Sequence, residues 1–195
     1  AGVGIDNIDI DCATQNGIVV MNVPDGNTIS AAEHTIAMMM ALSRNIQLGH
    51  VGLLAGEWNR KSLVGSELQS KTLGVVGLGR IGREVIKRAI GLEMKIIGYD
   101  PFVSEDIFDS DKVQIVDLDE LTEEADFITL HVPHLDTTEN LFNIERFSMM
   151  KESARIINVA RGGIINENDL ARALNEGTIA GAAIDVFKKE PLEDD

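Results

Sequence analysis

The sequence contains a single cysteine, Cys12, in 195 residues. No internal disulfide and no multi-thiolate zinc site can be built from it, and a reducing cytoplasm is its natural compartment. Positive charge is scarce. Seventeen Lys and Arg stand against 32 Asp and Glu, a formal net charge of −15, and such a field repels both nucleic acid and anionic lipid. Long apolar runs are missing as well: the longest, residues 36–42, falls far short of the roughly 20 residues that a spanning helix needs. A GxSxG nucleophile elbow and a GxxxxGK phosphate loop are both absent, which removes serine hydrolases and P-loop NTPases from consideration. The four histidines, His34, His50, His131 and His134, lack the spacing of a metal-binding pair, and Cys12 has no nearby histidine to activate it. What remains is 44% apolar and 25% charged, enough for one good-sized core or two small ones and too apolar for a disordered chain.

From residue 72 onward, short β-branched runs alternate with helical patterns, the mark of a parallel sheet covered by helices on both faces. Six strands are expected at 73–77, 95–100, 113–116, 127–131, 155–160 and 182–187, with helices near 80–90, 117–125, 144–150 and 167–175. The last helix is started by Asn166, with Asp169 three residues on. This is the pattern of a doubly wound α/β domain of the Rossmann type, with its core at 72–187. Residues 1–70 form a lead-in: a short helix after Asp6, a strand at 18–21, then a long helix beginning at Ser30, where Ser30 and Glu33 form a capping box. That helix, 30–44, is apolar around most of its circumference, so it is expected to be buried on two sides, by this domain and by a second subunit. His34 lies on it and reads as a core or interface histidine, and the acidic stretch 105–124 reads as a solvated face. The chain opens AGVGIDNID and closes EPLEDD, and it reads as a piece of a longer one.

Three segments carry chemistry. In LGVVGLGRIG, Gly77, Gly79 and Gly82 follow a strand and open a helix. Gly77 permits the tight turn, Gly79 lets backbone approach a pyrophosphate and Gly82 lets helix pack on strand, while the helix N-terminus offers free N–H groups. The next strand ends at Asp100, placed to accept hydrogen bonds from ribose hydroxyls and to repel a 2′-phosphate, with no Lys or Arg before Lys112; NAD is therefore favoured over NADP. In IINVARGG a buried strand delivers Arg161 to the carboxyl edge of the sheet, where a guanidinium grips a carboxylate bidentately and polarises a neighbouring carbonyl. In AAIDVFKKEP, Asp185 and Glu190 stand at or beyond the end of the last strand, and either carboxylate can orient an imidazole for alcohol–ketone interconversion. No histidine follows residue 134. His131 ends strand four at the ligand edge, with His134 beside it.

These blocks, together with NGIVVMNVPDGNTISAAEHTIAMMMALSR, KTLGVVGLGRIGREV, GYDP and FITLHVP in the same order, resemble the nucleotide-binding domain of the NAD-dependent D-2-hydroxyacid dehydrogenases. The likeness extends over essentially all 195 residues. It implies hydride exchange between NAD and a small 2-hydroxy or 2-keto acid. On it, Arg161 matches the catalytic arginine and Glu190 the carboxylate that pairs with a catalytic histidine. Arg80, Ile81, Asp100, His131, Val132, Pro133, Val159, Ala160 and Asp185 match cofactor-lining positions, alongside Gly77, Gly79 and Gly82. The resemblance further implies a homodimer built on the 30–44 helix, with residues 57–61 reaching toward the partner. It also implies a separate substrate domain and a catalytic histidine beyond Glu190, so residues 1–195 alone are expected to bind NAD without turning over. The stretch HVPHLDTTEN departs from the commoner HVPLTPET at His134 and Leu135. A reductase of glyoxylate or hydroxypyruvate in the same family, and an NAD-sensing regulator of dehydrogenase-like fold, are the alternative readings.

Overall fold

A computed structural model describes residues 3–5, 7–103, 108 and 112–192. Six strands, β1 (Thr72–Val76), β2 (Lys95–Tyr99), β3 (Val113–Ile115), β4 (Phe127–Leu130), β5 (Arg155–Asn158) and β6 (Gly181–Ile184), form one sheet in the order β3-β2-β1-β4-β5-β6. Every pairing is parallel. Chain order reverses between β1 and β4, and the crevice at their carboxyl ends is where doubly wound sheets hold ligands. All six expected strands are present, each ending one to three residues sooner.

The sheet is covered on both faces because its strands alternate apolar residues between two cores. Val76, Ile128 and Ile156 point to one core, which they share with Leu121 of α5 (Leu118–Glu124), Phe147 of α6 (Ile144–Met149) and Leu170 of α7 (Glu167–Asn175). Leu73, Val75, Phe127 and Ile157 point to the other. That second core is closed by Ala32 and Met39 of α2 (Thr28–Ser43) and by Val85, Ile86 and Ala89 of α4 (Arg80–Gly91). The helices over the first core are capped by side chains: Asp117 accepts from the Glu120 N–H, Asn143 from Arg146 and Asn166 from Asp169. Asn166 starts α7 as expected. Asp169 also accepts the Ile144 N–H at 3.0 Å, tying α7 to the start of α6.

The lead-in departs from expectation in three places. Residues 18–21 follow α1 (Ile10–Gln15) as irregular chain, not as a strand. Ile18, Val19 and Met21 are 61, 80 and 85% exposed, and without a neighbouring strand to satisfy its backbone a β-prone segment has no reason to extend into a ladder. The long helix begins at Thr28, two residues early, with Asn27 at its N-cap and no side-chain capping bond. Ser30 is thus inside the helix, its hydroxyl donating to the Asn27 carbonyl at 3.0 Å, and Glu33 reaches Arg88 instead of closing a capping box. Within this chain α2 is buried on one side only, through Ala32, Thr35, Met39 and Ser43, while Ile29 and Met40 face outward. α3 (Ile46–Leu54) follows with no buried residue. Six residues of the acidic stretch, 105–107 and 109–111, lie outside the described residues, as do residues 1–2, Asp6, residue 104 and residues 193–195. No helix among the described residues is long and apolar enough to cross a membrane.

Candidate functional site: a glycine turn, an acid and an arginine at the sheet switch point

The glycine turn is built for close packing on one side and open approach on the other. Gly77 has φ +95°, and a Cβ there would press on the His131 carbonyl. A Cβ on Gly82 would overlap the Gly77 carbonyl oxygen, whereas one on Gly79 would meet nothing within 4 Å. Two glycines are thus demanded by the fold, and the third leaves room for a ligand. Gly79 is also the N-cap of α4 and supplies no side chain to its first N–H groups, so these donors and the positive end of the helix dipole face that open space. A diphosphate fits this turn.

Asp100 follows β2 beside the turn. Its carboxylate accepts the Leu78 N–H at 2.9 Å and the Phe102 N–H at 2.9 Å. Each oxygen keeps a second acceptor direction, so the same contacts that orient the side chain leave it able to take ribose hydroxyls. Arg80, the first residue of α4, bonds Asp25 at 3.1 Å and the Pro24 carbonyl at 3.3 Å, linking the glycine turn to the segment before α2.

Further along the same edge lies a cavity of about 200 Å³ bounded by Ile81, His131, Val132, Pro133, Val159, Ala160 and Arg161, with Asn27 and Ala31 above. Seven of the expected site residues, Ile81, His131, Val132, Pro133, Val159, Ala160 and Arg161, thus border one space, whereas Gly77, Gly79, Arg80, Gly82, Asp100 and Asp185 are not among its lining. Burial pushes the His131 imidazole down to about 4, so it is neutral at physiological pH. Its Nε2 lies 3.0 Å from the Thr129 hydroxyl.

Arg161, exposed, is among the residues that line this cavity, and it sits on a turn clamped from several directions. A Cβ on Gly162 would collide with the Phe187 backbone, Gly163 adopts φ +80° against the His134 ring, and the Gly163 carbonyl accepts the Asn140 N–H at 2.8 Å. Asn158, fully buried, spans the turn with its side chain. Sequence reasoning passed over Asn158, although an amide that closes an otherwise apolar strand is itself a signal that buried polar partners are waiting.

Asp185 and Glu190 occupy different settings. The Asp185 carboxylate pairs with His34 Nε2 at 3.3 Å. His34 is accordingly not a core residue but an exposed one on the outer part of α2, where a polar ring turns toward a charge instead of the apolar interior. Glu190 accepts the Phe187 N–H at 2.8 Å, which folds the chain back after β6. Nearby, Lys188 bonds Glu139 at 3.0 Å and holds that carboxyl below the usual range. Cys12 is exposed and unpaired, and no group of three metal-ligating side chains exists among the described residues.

An open glycine turn at an uncapped helix N-terminus, at the switch point of a parallel sheet and with an acid after the neighbouring strand, is the pattern of a dinucleotide-binding domain. The chain belongs to the family described as D-isomer specific 2-hydroxyacid dehydrogenase, NAD binding domain, which matches residues 36–195. It is 53% identical over 192 residues to the D-3-phosphoglycerate dehydrogenase of Synechocystis sp., covering 98% of this chain and 35% of that one. Against the D-3-phosphoglycerate dehydrogenase of Methanocaldococcus jannaschii it is 51% identical, covering 100% of this chain and 37% of the other. The chain thus spans little more than a third of these relatives. Among solved structures, D-lactate dehydrogenase from Aquifex aeolicus, complexed with NAD and lactic acid, superposes with a TM-score of 0.86 at 36% identity, covering 97% of this chain and 57% of that one.

Proposed function

We propose that the full-length protein containing these residues is a D-3-phosphoglycerate dehydrogenase, oxidising 3-phospho-D-glycerate to 3-phosphohydroxypyruvate at the entry to serine biosynthesis, and that residues 1–195 are its NAD-binding half. The observation that carries the reading is that Arg161 lines one cavity with Ile81, His131 and Val159, so that a charged fork and the glycine turn lie along one edge of the sheet. The relatives at about half identity support the choice of acid.

Gly77, Gly79, Gly82 and Arg80 hold the diphosphate, and Asp100 holds the ribose and repels a 2′-phosphate. Bound nicotinamide supplies the acceptor for hydride leaving the hydroxyl carbon. Arg161 grips the substrate carboxylate with paired N–H donors and polarises the oxygen that becomes the ketone. The hydroxyl proton needs a base that titrates near neutrality. His131, held near 4, is poorly matched to that task. We assign the role to an imidazole outside residues 1–195, oriented by Glu190, and residues 1–195 alone therefore bind NADH without turnover.

The outward faces of α2 and α3, carrying Ile29, Met40, Leu48, Val51 and Leu53, support a homodimer through the 30–44 region. The charge of −15 and the unpaired Cys12 support a cytoplasmic protein that binds neither nucleic acid nor membrane.

Calorimetric titration with NADH and NADPH tests the cofactor half of the proposal. NADH should bind at least tenfold more tightly, a gap of about 1.4 kcal/mol, and equal affinity would overturn the role of Asp100. In the full-length protein, reduction of 3-phosphohydroxypyruvate by NADH should be lost in Arg161→Ala. Unchanged turnover in that variant would overturn the role of the arginine.

A further inference from the structure

Asn158 is the buried polar side chain that joins the two ends of the site. It is 1% exposed at the last position of β5, between Ile157 in the core and Val159 at the cavity wall. Its Nδ2 donates to the Arg161 carbonyl at 2.9 Å and its Oδ1 accepts the Ala160 N–H at 3.0 Å, so one amide spans both sides of the turn that launches Arg161. Its own carbonyl accepts the Asp185 N–H at 3.0 Å. A buried amide satisfied in this way costs little to keep and much to break, because the amide deprived of its partners would be left unsatisfied in the interior.

We propose that Asn158 is a positioning residue for substrate binding: it aims Arg161 by fixing the turn's backbone, and it does so through its side chain, while its hold on Asp185 runs through the main chain alone. The proposal rests on the reading of Arg161 as the carboxylate-binding group. The division has a consequence that a merely structural role does not have. Removing the side chain should mis-aim the guanidinium yet leave the contact to Asp185, the phosphate turn and Asp100 in place. Substrate recognition and cofactor recognition should therefore separate.

Asparagine and a protonated aspartic acid have the same shape and the same donor–acceptor pair, whereas an ionised aspartate offers only acceptors and would turn a lone pair toward the Arg161 carbonyl. Asn158→Asp is thus a variant whose geometry is switched by a proton, and burial raises the pH at which that proton is held.

The experiment uses the full-length protein with NADH, 3-phosphohydroxypyruvate and oxalate, a non-reacting dicarboxylate probe. In Asn158→Ala, KM for the keto acid and the calorimetric Kd for oxalate in the presence of NADH should both rise by about tenfold to a hundredfold, the scale of a small misplacement, with the Kd for NADH within about twofold of wild type. In Asn158→Asp, oxalate affinity relative to wild type should recover as pH falls. Unchanged KM and oxalate affinity in Asn158→Ala would overturn the proposal, as would parallel loss of NADH and oxalate binding in a folded variant. If Asn158→Ala does not fold, a pH-independent oxalate affinity ratio for Asn158→Asp overturns it. Wild-type protein and Arg161→Ala run alongside: a wild type that neither reduces the keto acid nor binds oxalate condemns the reading of Arg161, while an intact wild type, a dead Arg161→Ala and a normal Asn158→Ala condemn only the positioning role.

Discussion

Residues 72–187 and residues 3–70 obey different rules within one chain. In the sheet domain, the apolar strand residues are covered on both faces: Phe127, Ile128, Leu130, Ile156 and Ile157 are all at 1% exposure or less, with α2, the one part of the lead-in that packs on the sheet, closing the second core through Ala32 and Met39. In the lead-in, Val19, Met21, Leu54 and Trp58 are at least 77% exposed, and α1 and α3 bury nothing. Local pattern predicts structure where the chain itself supplies the second side of each contact. Where it does not, the same pattern yields exposed apolar chain.

The sharpest way to break this contrast is to cut the same kind of volume from each region. Phe147→Ala removes a fully buried ring that packs against Phe142 at 6.3 Å between centroids. It should cost about 3–5 kcal/mol of unfolding free energy in a urea titration. A loss below about 1 kcal/mol would mean the core on that face is not close-packed.

Glycine replacements make a second, smaller comparison. Gly82→Ala drives a methyl into the Gly77 carbonyl and should cost about 3 kcal/mol, the upper end of overpacking effects, with NADH binding lost because the diphosphate turn must move. Gly17→Ala, in the lead-in, meets nothing within 4 Å but sits at φ +68°, so only backbone strain of about 1 kcal/mol is expected. Thermal melts of the two variants decide whether packing or dihedral strain dominates.

The extent to which sequence foretold structure divides along the same line. The strands, α4, α6, α7 and the Asn166 cap were readable because apolar period, turn glycine and cap residue agreed. The placement of Gly77, Asp100 and Arg161 at one edge was readable because each follows a strand, and strand ends in a parallel sheet converge. Three features were not. The strand expected at 18–21 has the right composition but no partner, and composition does not carry that information. Ser30 and Glu33 have the spacing of a capping box, but Thr28 and Ile29 extend the helix past it, so the helix start fell two residues earlier. The pairing of His34 with Asp185 joins residues about 150 positions apart, a contact set by α2 crossing the end of β6 and invisible to local pattern.

Acid titration sharpens the contrast further. The His131 imidazole takes a proton near pH 6.5 in the unfolded chain and only near 4 in the folded one. Between those values the unfolded state binds more protons, so its contribution to stability is present above pH 6.5 and is lost as pH falls toward 4. The slope should amount to about 2 kcal/mol over that window, and His131→Asn should remove it. Urea midpoints of the two proteins at pH 7 and pH 4.5 provide the check; parallel curves would mean that the ring is hydrated in the folded state.

The smallest effect is the most diagnostic for the lead-in. Met21 is 85% exposed, so Met21→Ser removes no buried contact and should change the unfolding free energy of residues 1–195 by less than about 0.5 kcal/mol, the usual range for surface substitutions. The direction is informative even at that size. An exposed thioether gains nothing from folding, whereas its tendency to associate with other apolar surface is present in both states; replacing it with serine should therefore improve solubility without moving the melt. A loss above about 1 kcal/mol in urea would show that residues 18–21 are packed in solution, and they would have to be moved from the unpartnered part of the lead-in to the part that, like α2, packs on the sheet.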